Sequence, residues 1–145
     1  MTEIAFHFNV PDKIGYACRL LRKAHLSGAR VAVTGAEEQL TQLDTALWTF
    51  APHEFIPHCR WDSAPELVTA SAIVLAESLA RAPHHDVVLN LGSEVPLGFE
   101  RFERLIELVS SLVEDRHGAR SRWRHYSERG YAIVQHNFAE KAQAA

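Results

Sequence analysis

The sequence predicts a single doubly wound α/β domain, with a mostly parallel sheet and helices on both faces. Three observations predict it. Short runs rich in β-formers alternate with stretches of helical period, the pattern of strand–helix–strand units. The inner runs, IVLAES (residues 73–78) and DVVLNLG (86–92), are continuously apolar, as strands covered on both faces are. The length of 145 residues, with 47% hydrophobic and 23% charged residues, suits one soluble core. No internal repeat or low-complexity linker suggests a second domain. We therefore expect a domain over residues 1–138 and a frayed tail, AEKAQAA, over 139–145.

The elements follow in order. EIAFHF (3–8) alternates with a period of two and reads as a strand. Pro11 and Asp12 open a helix in which Ile14, Cys18, Leu21 and His25, joined by Ala17 and Ala24, recur at three- and four-residue intervals. Gly28 stands where a C-terminal cap would end it. RVAVTG (30–35) is a short apolar strand, and Glu37 and Glu38 occupy the place where acidic residues favour a helix start. That helix runs to about Trp48, with Leu40, Leu43 and Leu47 inside. Pro52 and Pro57 make 50–58 a loop or edge segment, since proline cannot donate to a strand ladder. Residues 99–113 could be drawn as a helix, but the β-rich LIELV, Ser110, Ser111 and Gly118 favour another reading. It is a turn at 99–103, a strand at 104–109, a helix from about 113 to 129 ended by Gly130, and a last strand at 131–136.

Several kinds of chemistry lack their residues. No apolar run reaches the roughly 18 residues a membrane-spanning helix needs, and no basic-then-apolar leader opens the chain, so a cytoplasmic protein is expected. Cys18 and Cys59 lie far apart and read as buried apolar residues rather than a disulfide or a metal pair. The nine histidines form no HExxH motif and no cysteine-flanked pair, so no metal is expected. The first strand is followed by NVPDKIG and the second by TGAEEQ, where a dinucleotide site needs GxGxxG and an anion-tolerant helix start. Gly35 reads as a tight turn. No serine has elbow glycines, and Cys59 beside His58 has no visible third partner. We expect no cofactor and no independent enzymatic activity.

What stands out is RSRWRHYSERGY, residues 120–131, which sets a tryptophan and two tyrosines among four arginines in a chain of net charge −3. On a helix, Arg116, Arg120, Trp123, Arg124 and Ser127 share one face, bringing guanidinium groups beside an indole. Arg122 and Arg129 lie off that face and read as solvated surface. Tyr126 and Tyr131 read as core aromatics.

The succession ALW (46–48), EFIPH (54–58) and RxRWRxYxxRGY, with a final strand behind it, resembles the chi subunit of bacterial DNA polymerase III holoenzyme over essentially the whole chain. The resemblance implies a Rossmann-like fold without nucleotide chemistry, and a non-catalytic accessory subunit of the polymerase assembly. Chi-like proteins link the clamp loader, through the psi subunit, to the acidic C-terminal tail of single-stranded DNA-binding protein. That tail ends in proline and phenylalanine with a free carboxylate, so its receptor needs cations beside an apolar pocket. Carried over position by position, Arg120, Trp123 and Arg124 match the family's tail-binding site, with tryptophan where a tyrosine may occur in the family. Arg116 and Val109 are weaker candidates. Trp48 and Phe55 match positions that form an apolar patch for psi or for a repair helicase; the other reading is that both are core residues. The resemblance also implies a chain monomeric by itself that joins a heteromeric assembly and meets nucleic acid mainly indirectly. The alternatives kept open are a single-stranded nucleic-acid binder using the arginine helix and, behind it, a nucleotide-dependent enzyme.

Overall fold

The computed structural model describes residues 1–49 and 56–138. Seven strands and four helices succeed one another: β1 (Glu3–Val10), α1 (Lys13–Ser27), β2 (Val31–Thr34), α2 (Glu37–Thr49), β3 (Cys59–Arg60), α3 (Pro65–Ala70), β4 (Ile73–Leu75), β5 (Val87–Asn90), β6 (Arg104–Ser110), α4 (Val113–Glu128) and β7 (Ile133–Asn137). Short 3-10 turns at Leu79–Arg81 and Phe99–Arg101 connect β4 to β5 and β5 to β6. The strands form one sheet in the order β3-β4-β2-β5-β6-β1-β7. Every pairing is parallel, so the expected mostly parallel sheet is parallel throughout.

This order dictates where the helices go. From β1 the chain moves toward one edge through β2 to β3, then turns back through β4, β5 and β6 to β7 at the other edge. Right-handed crossovers place connections running in opposite directions on opposite faces. Accordingly α1 and α2 pack Cys18, Leu21, Leu40 and Leu43 on Val31, Val33, Leu89 and Ile106. On the other face α4 packs Ala119 and Tyr126 on Ile4, Phe6, Val88 and Leu105. Cys18 and Cys59 are both buried, as expected of apolar residues, and burial pushes the Cys18 thiol up to about 11. No described helix is long and apolar enough to cross a membrane.

Local chemistry sets the boundaries. Asp12 caps α1, its carboxylate accepting from the Gly15 amide at 3.1 Å, and Gly28 ends the helix at φ +80°, donating its amide to Ala24 and His25. The runs expected at 73–78 and 86–92 make shorter strands. Ser78 caps the first 3-10 turn, and Asn90 turns the chain by accepting from the Gly92 amide at 2.9 Å. Neither β3 nor α3 was evident in the sequence, because each is too brief to show a period. The expected frayed tail, Pro52 and Phe55 lie outside the described residues.

One arginine departs from the sequence reading. Arg122 is not solvated: it is 2% exposed beneath α4 and donates through Nε to Glu107 Oε1 at 3.1 Å. Glu107, fully buried, also accepts from Asn90 Nδ2 at 2.9 Å and from the Tyr126 hydroxyl at 2.6 Å. Arg122 Nη1 reaches the Ser93 carbonyl at 3.0 Å. Gly118 makes room for this guanidinium, since a Cβ there would lie 3.3 Å from Arg122 Nη1. The apolar surroundings favour a side chain that arrives already paired, and the glutamate in the middle of LIELV supplies the partner. Burial pushes the Glu107 carboxyl up, while Arg122 and the hydrogen bonds pull it down. Replacing Arg122 by Leu strands that carboxylate and should lower stability by about 3–5 kcal/mol. Arg129→Ala, at an exposed position, should stay within about 0.5 kcal/mol. Urea unfolding of the two variants beside the parent measures both.

The start of α4 is tied down separately. Asp115 accepts from the Ser110 amide at 2.8 Å and pairs with Lys13 at 3.1 Å, joining the ends of β6 and β1. Burial raises this carboxyl, but the Ser110 amide and Lys13 outweigh it, and its pKa falls below the ordinary 3.8. A carboxylate shifted down contributes stability above its unfolded value that is lost as pH falls through the folded one. Asp115→Asn should therefore flatten the acid limb of a urea-midpoint profile below about pH 4. An acid limb as steep as the parent's would contradict this assignment.

Candidate functional site: a cation-rimmed groove on helix α4

Because Ala119, Arg122 and Tyr126 point inward, the rotation of α4 about its axis is set, and Arg120, Trp123, Arg124 and Ser127 are turned toward the flank that overlies β1. There they line a groove of about 350 Å³ together with Phe8, Ala119 and Glu128. The floor is aromatic. The Trp123 indole packs on Phe6 with ring centroids 5.0 Å apart and on Phe8 at 6.1 Å, and Phe6 and Phe8 stack at 5.6 Å. Trp123 is half-buried, held from beneath with one side open to the groove.

The rim is cationic. Arg120 and Arg124, one helical turn apart, are exposed, and among the described residues neither has an ion-pair partner. Glu128 supplies a carboxylate and Ser127 a hydroxyl at the other end. Chemically, the groove offers two planar guanidinium forks beside an apolar slot. Such a slot takes an aromatic or branched side chain, and the forks take a carboxylate.

The sequence-selected residues divide as follows. Arg120, Trp123 and Arg124 come together. Arg116 is exposed one turn before Arg120, outside the groove's lining. Val109 is corrected: it is 0% exposed in the core on β6, facing Ile4, Leu105 and Ala119, and presents no surface to a ligand. The alternation that places Leu105 and Glu107 under α4 places Val109 there too. Tyr126 is core, and Tyr131 packs half-buried on Phe99 at 5.3 Å. Phe8 was missed. Period-two alternation aligns it with Phe6, but nothing local says that α4 will cross above β1.

Trp48 lies far along the chain, at the end of α2. It is 57% exposed, with its ring 4.9 Å from that of His58, while the inner face of α2 is Leu40, Leu43 and Leu47. His58 is buried, with Nδ1 2.7 Å from the Ile56 carbonyl and Nε2 2.9 Å from Asp44. That clamp holds the chain after the loop against α2. Phe55 lies outside the described residues.

The crevice where a doubly wound fold binds nucleotides has a different character. The carboxyl ends of β2, β4 and β5 enclose about 500 Å³ lined by residues that include Gly35, Glu77 and Glu94 and, among the described residues, no lysine or arginine. The hydrogen bond between Glu77 and Glu37 raises the first carboxyl and lowers the second, and the nearby Arg60 pulls both down. With Glu77 and Glu94 in its lining, the crevice presents carboxyl groups where a phosphate needs donors.

Fold and groove together define a doubly wound α/β domain with a cation-rimmed apolar groove on a helix flank. Comparison with known proteins supplies the family. The model of the family described as DNA polymerase III chi subunit, HolC, matches residues 1–134, and the chain belongs to that family. A DNA polymerase III subunit chi of Pseudomonas aeruginosa is 34% identical over 142 residues, covering 94% of this chain and 96% of that protein. A DNA polymerase III subunit chi of Haemophilus influenzae is 27% identical over 124 residues, covering 83% and 84% respectively.

Because Arg120 and Arg124 are solvated and, among the described residues, hold no ion-pair partner, Arg120→Ala and Arg124→Ala should each shift stability by less than about 0.5 kcal/mol. Trp123→Ala, which removes the contact with Phe6 and Phe8, should cost about 1–3 kcal/mol. Thermal or urea unfolding of the three variants reads these effects apart from any ligand.

Proposed function

We propose that the chain is a non-catalytic accessory subunit of the replicative DNA polymerase III assembly, working in the cytoplasm, whose α4 groove grips the acidic C-terminal tail of single-stranded DNA-binding protein. The observation that carries the reading is the convergence of Arg120, Trp123, Arg124 and Phe8 on one groove. The terminal phenylalanine enters between Trp123 and Phe8, and its carboxylate and the acidic residues before it meet the two guanidinium groups. Arg116, one turn away, faces the acidic residues farther from the terminus. Trp48, with Phe55, belongs to a second surface that receives psi or a repair helicase, joining this subunit to the clamp loader. An exposed tryptophan braced by a buried histidine suits an interface anchor.

The decisive test is a titration with a short acidic peptide ending in Pro-Phe, beside the same peptide without its last residue. Arg120→Ala should weaken binding about tenfold or more, the cost of one charge-assisted hydrogen bond, with unfolding unchanged. Loss of the terminal Phe should weaken it at least as much. Equal affinity for both peptides, or for parent and variant, would remove the tail from this groove.

A further inference from the structure

On the opposite face of the sheet, beside α1 and over strands from β2, β5 and β6 to β1 and β7, lies a second groove of about 510 Å³. Its ionisable lining is Arg19 and Lys23 on α1, Arg104 on β6, His7 on β1, His136 on β7 and the Tyr16 hydroxyl, and among the described residues no carboxylate lines it. A site so basic runs against the chain's net charge of −3. We propose that this groove binds single-stranded nucleic acid, its phosphates on Arg19, Lys23 and Arg104 and a base against the Tyr16 and His136 rings.

Three features carry the proposal. First, the cations are free of carboxylates. Lys13, Arg30, Arg60 and Arg122 all hold carboxylates, whereas among the described residues Arg19, Lys23 and Arg104 hold none, and all three are exposed. Glu3 stands opposite Arg104 in the β1–β6 register without forming an ion pair with it. Second, the charges are extended along the groove: Arg19 and Lys23 stand one helical turn apart on α1, with Arg104 on the sheet across from them. A single phosphate would instead call for a nest of backbone amides.

Third, half-buried rings are interleaved with the cations. The Arg19 guanidinium lies 5.9 Å over the Tyr16 ring, Tyr16 is hydrogen-bonded to His7, and the His7 and His136 rings lie edge to face at 4.8 Å. The cations suit a polyanion, and rings interleaved with them suit unstacked bases. A duplex keeps its bases stacked and offers nothing to these rings. Because this groove and the α4 groove lie on opposite faces, both can be filled at once.

Fluorescence anisotropy of a labelled oligothymidylate with the full chain tests this. Binding should weaken as salt rises, and the charge-reversal pair Arg19→Glu with Lys23→Glu should reduce affinity about tenfold or more and lower the salt slope by about 1–2. Arg120→Ala with Arg124→Ala should leave the affinity unchanged, and a saturating acidic tail peptide should not displace the oligonucleotide. The proposal is overturned if the oligonucleotide does not bind or if the α1 pair binds like the parent. It is also overturned if the α4 pair abolishes binding, if polyglutamate competes as well as unlabelled oligothymidylate, or if a duplex binds as tightly. The α1 variants should melt with the parent, since both positions are exposed.

Discussion

Glu107 sits fully buried in the middle of the sheet and accepts hydrogen bonds from three side chains on two other elements, Asn90 on β5 and Arg122 and Tyr126 on α4. Much of the surface follows from that arrangement. A buried ion pair is weak evidence for stability, because the gain in attraction is set against the loss of hydration. What it does here is discriminate between ways of docking one helix. α4 has few large apolar side chains, with Ala119 and Tyr126 buried beside Arg122 and Trp123 packed half-buried at the core's margin. Apolar packing alone would leave its rotation weakly defined. A guanidinium that must meet one carboxylate and the Ser93 carbonyl leaves one rotation, and that rotation aims Arg120, Trp123 and Arg124 at a single flank.

The aromatic layer extends the same constraint outward. Tyr126, held by Glu107, lies 6.0 Å from Phe6, and Phe6 and Phe8 carry Trp123. The indole is positioned by the core rather than by the surface, so the groove is largely built before any ligand arrives. Rings that are already ordered lose little further freedom on binding. The two arginines remain free to adjust on a rigid floor, a division of labour suited to an extended peptide ending in one bulky side chain.

The topology separates features that a small domain would otherwise crowd together. Reversal of the chain's direction across the sheet puts α1 and α2 on one face and α4 on the other, and the two grooves and the exposed tryptophan inherit that separation. The α4 groove lies on one face, the basic groove beside α1 on the other, and Trp48 at the end of α2. The strand-tip crevice common to such folds has Glu77 and Glu94 in its lining and, among the described residues, no lysine or arginine. Grooves on opposite faces do not obstruct one another.

Much of this was legible along the chain, and the rest was not, for physical reasons. Helix caps, turns and strand periods are local, so Asp12, Gly28, Gly130 and the alternating runs marked most elements. β3 and α3 were too short to show a period. The arginine–tryptophan face was also legible, because three- and four-residue spacings align side chains on any helix. Which side of that helix faces the core was only half decided by pattern. An arginine at position 122 looks like surface until a buried glutamate fifteen residues earlier is known to lie beneath it. Val109 was a candidate by family position alone, which does not tell which face of β6 it takes, and Phe8 went unnoticed because its partner Trp123 is more than a hundred residues away. Local spacing determines what a segment can present, whereas burial and the meeting of distant charges depend on the sheet order, which only the folded chain decides.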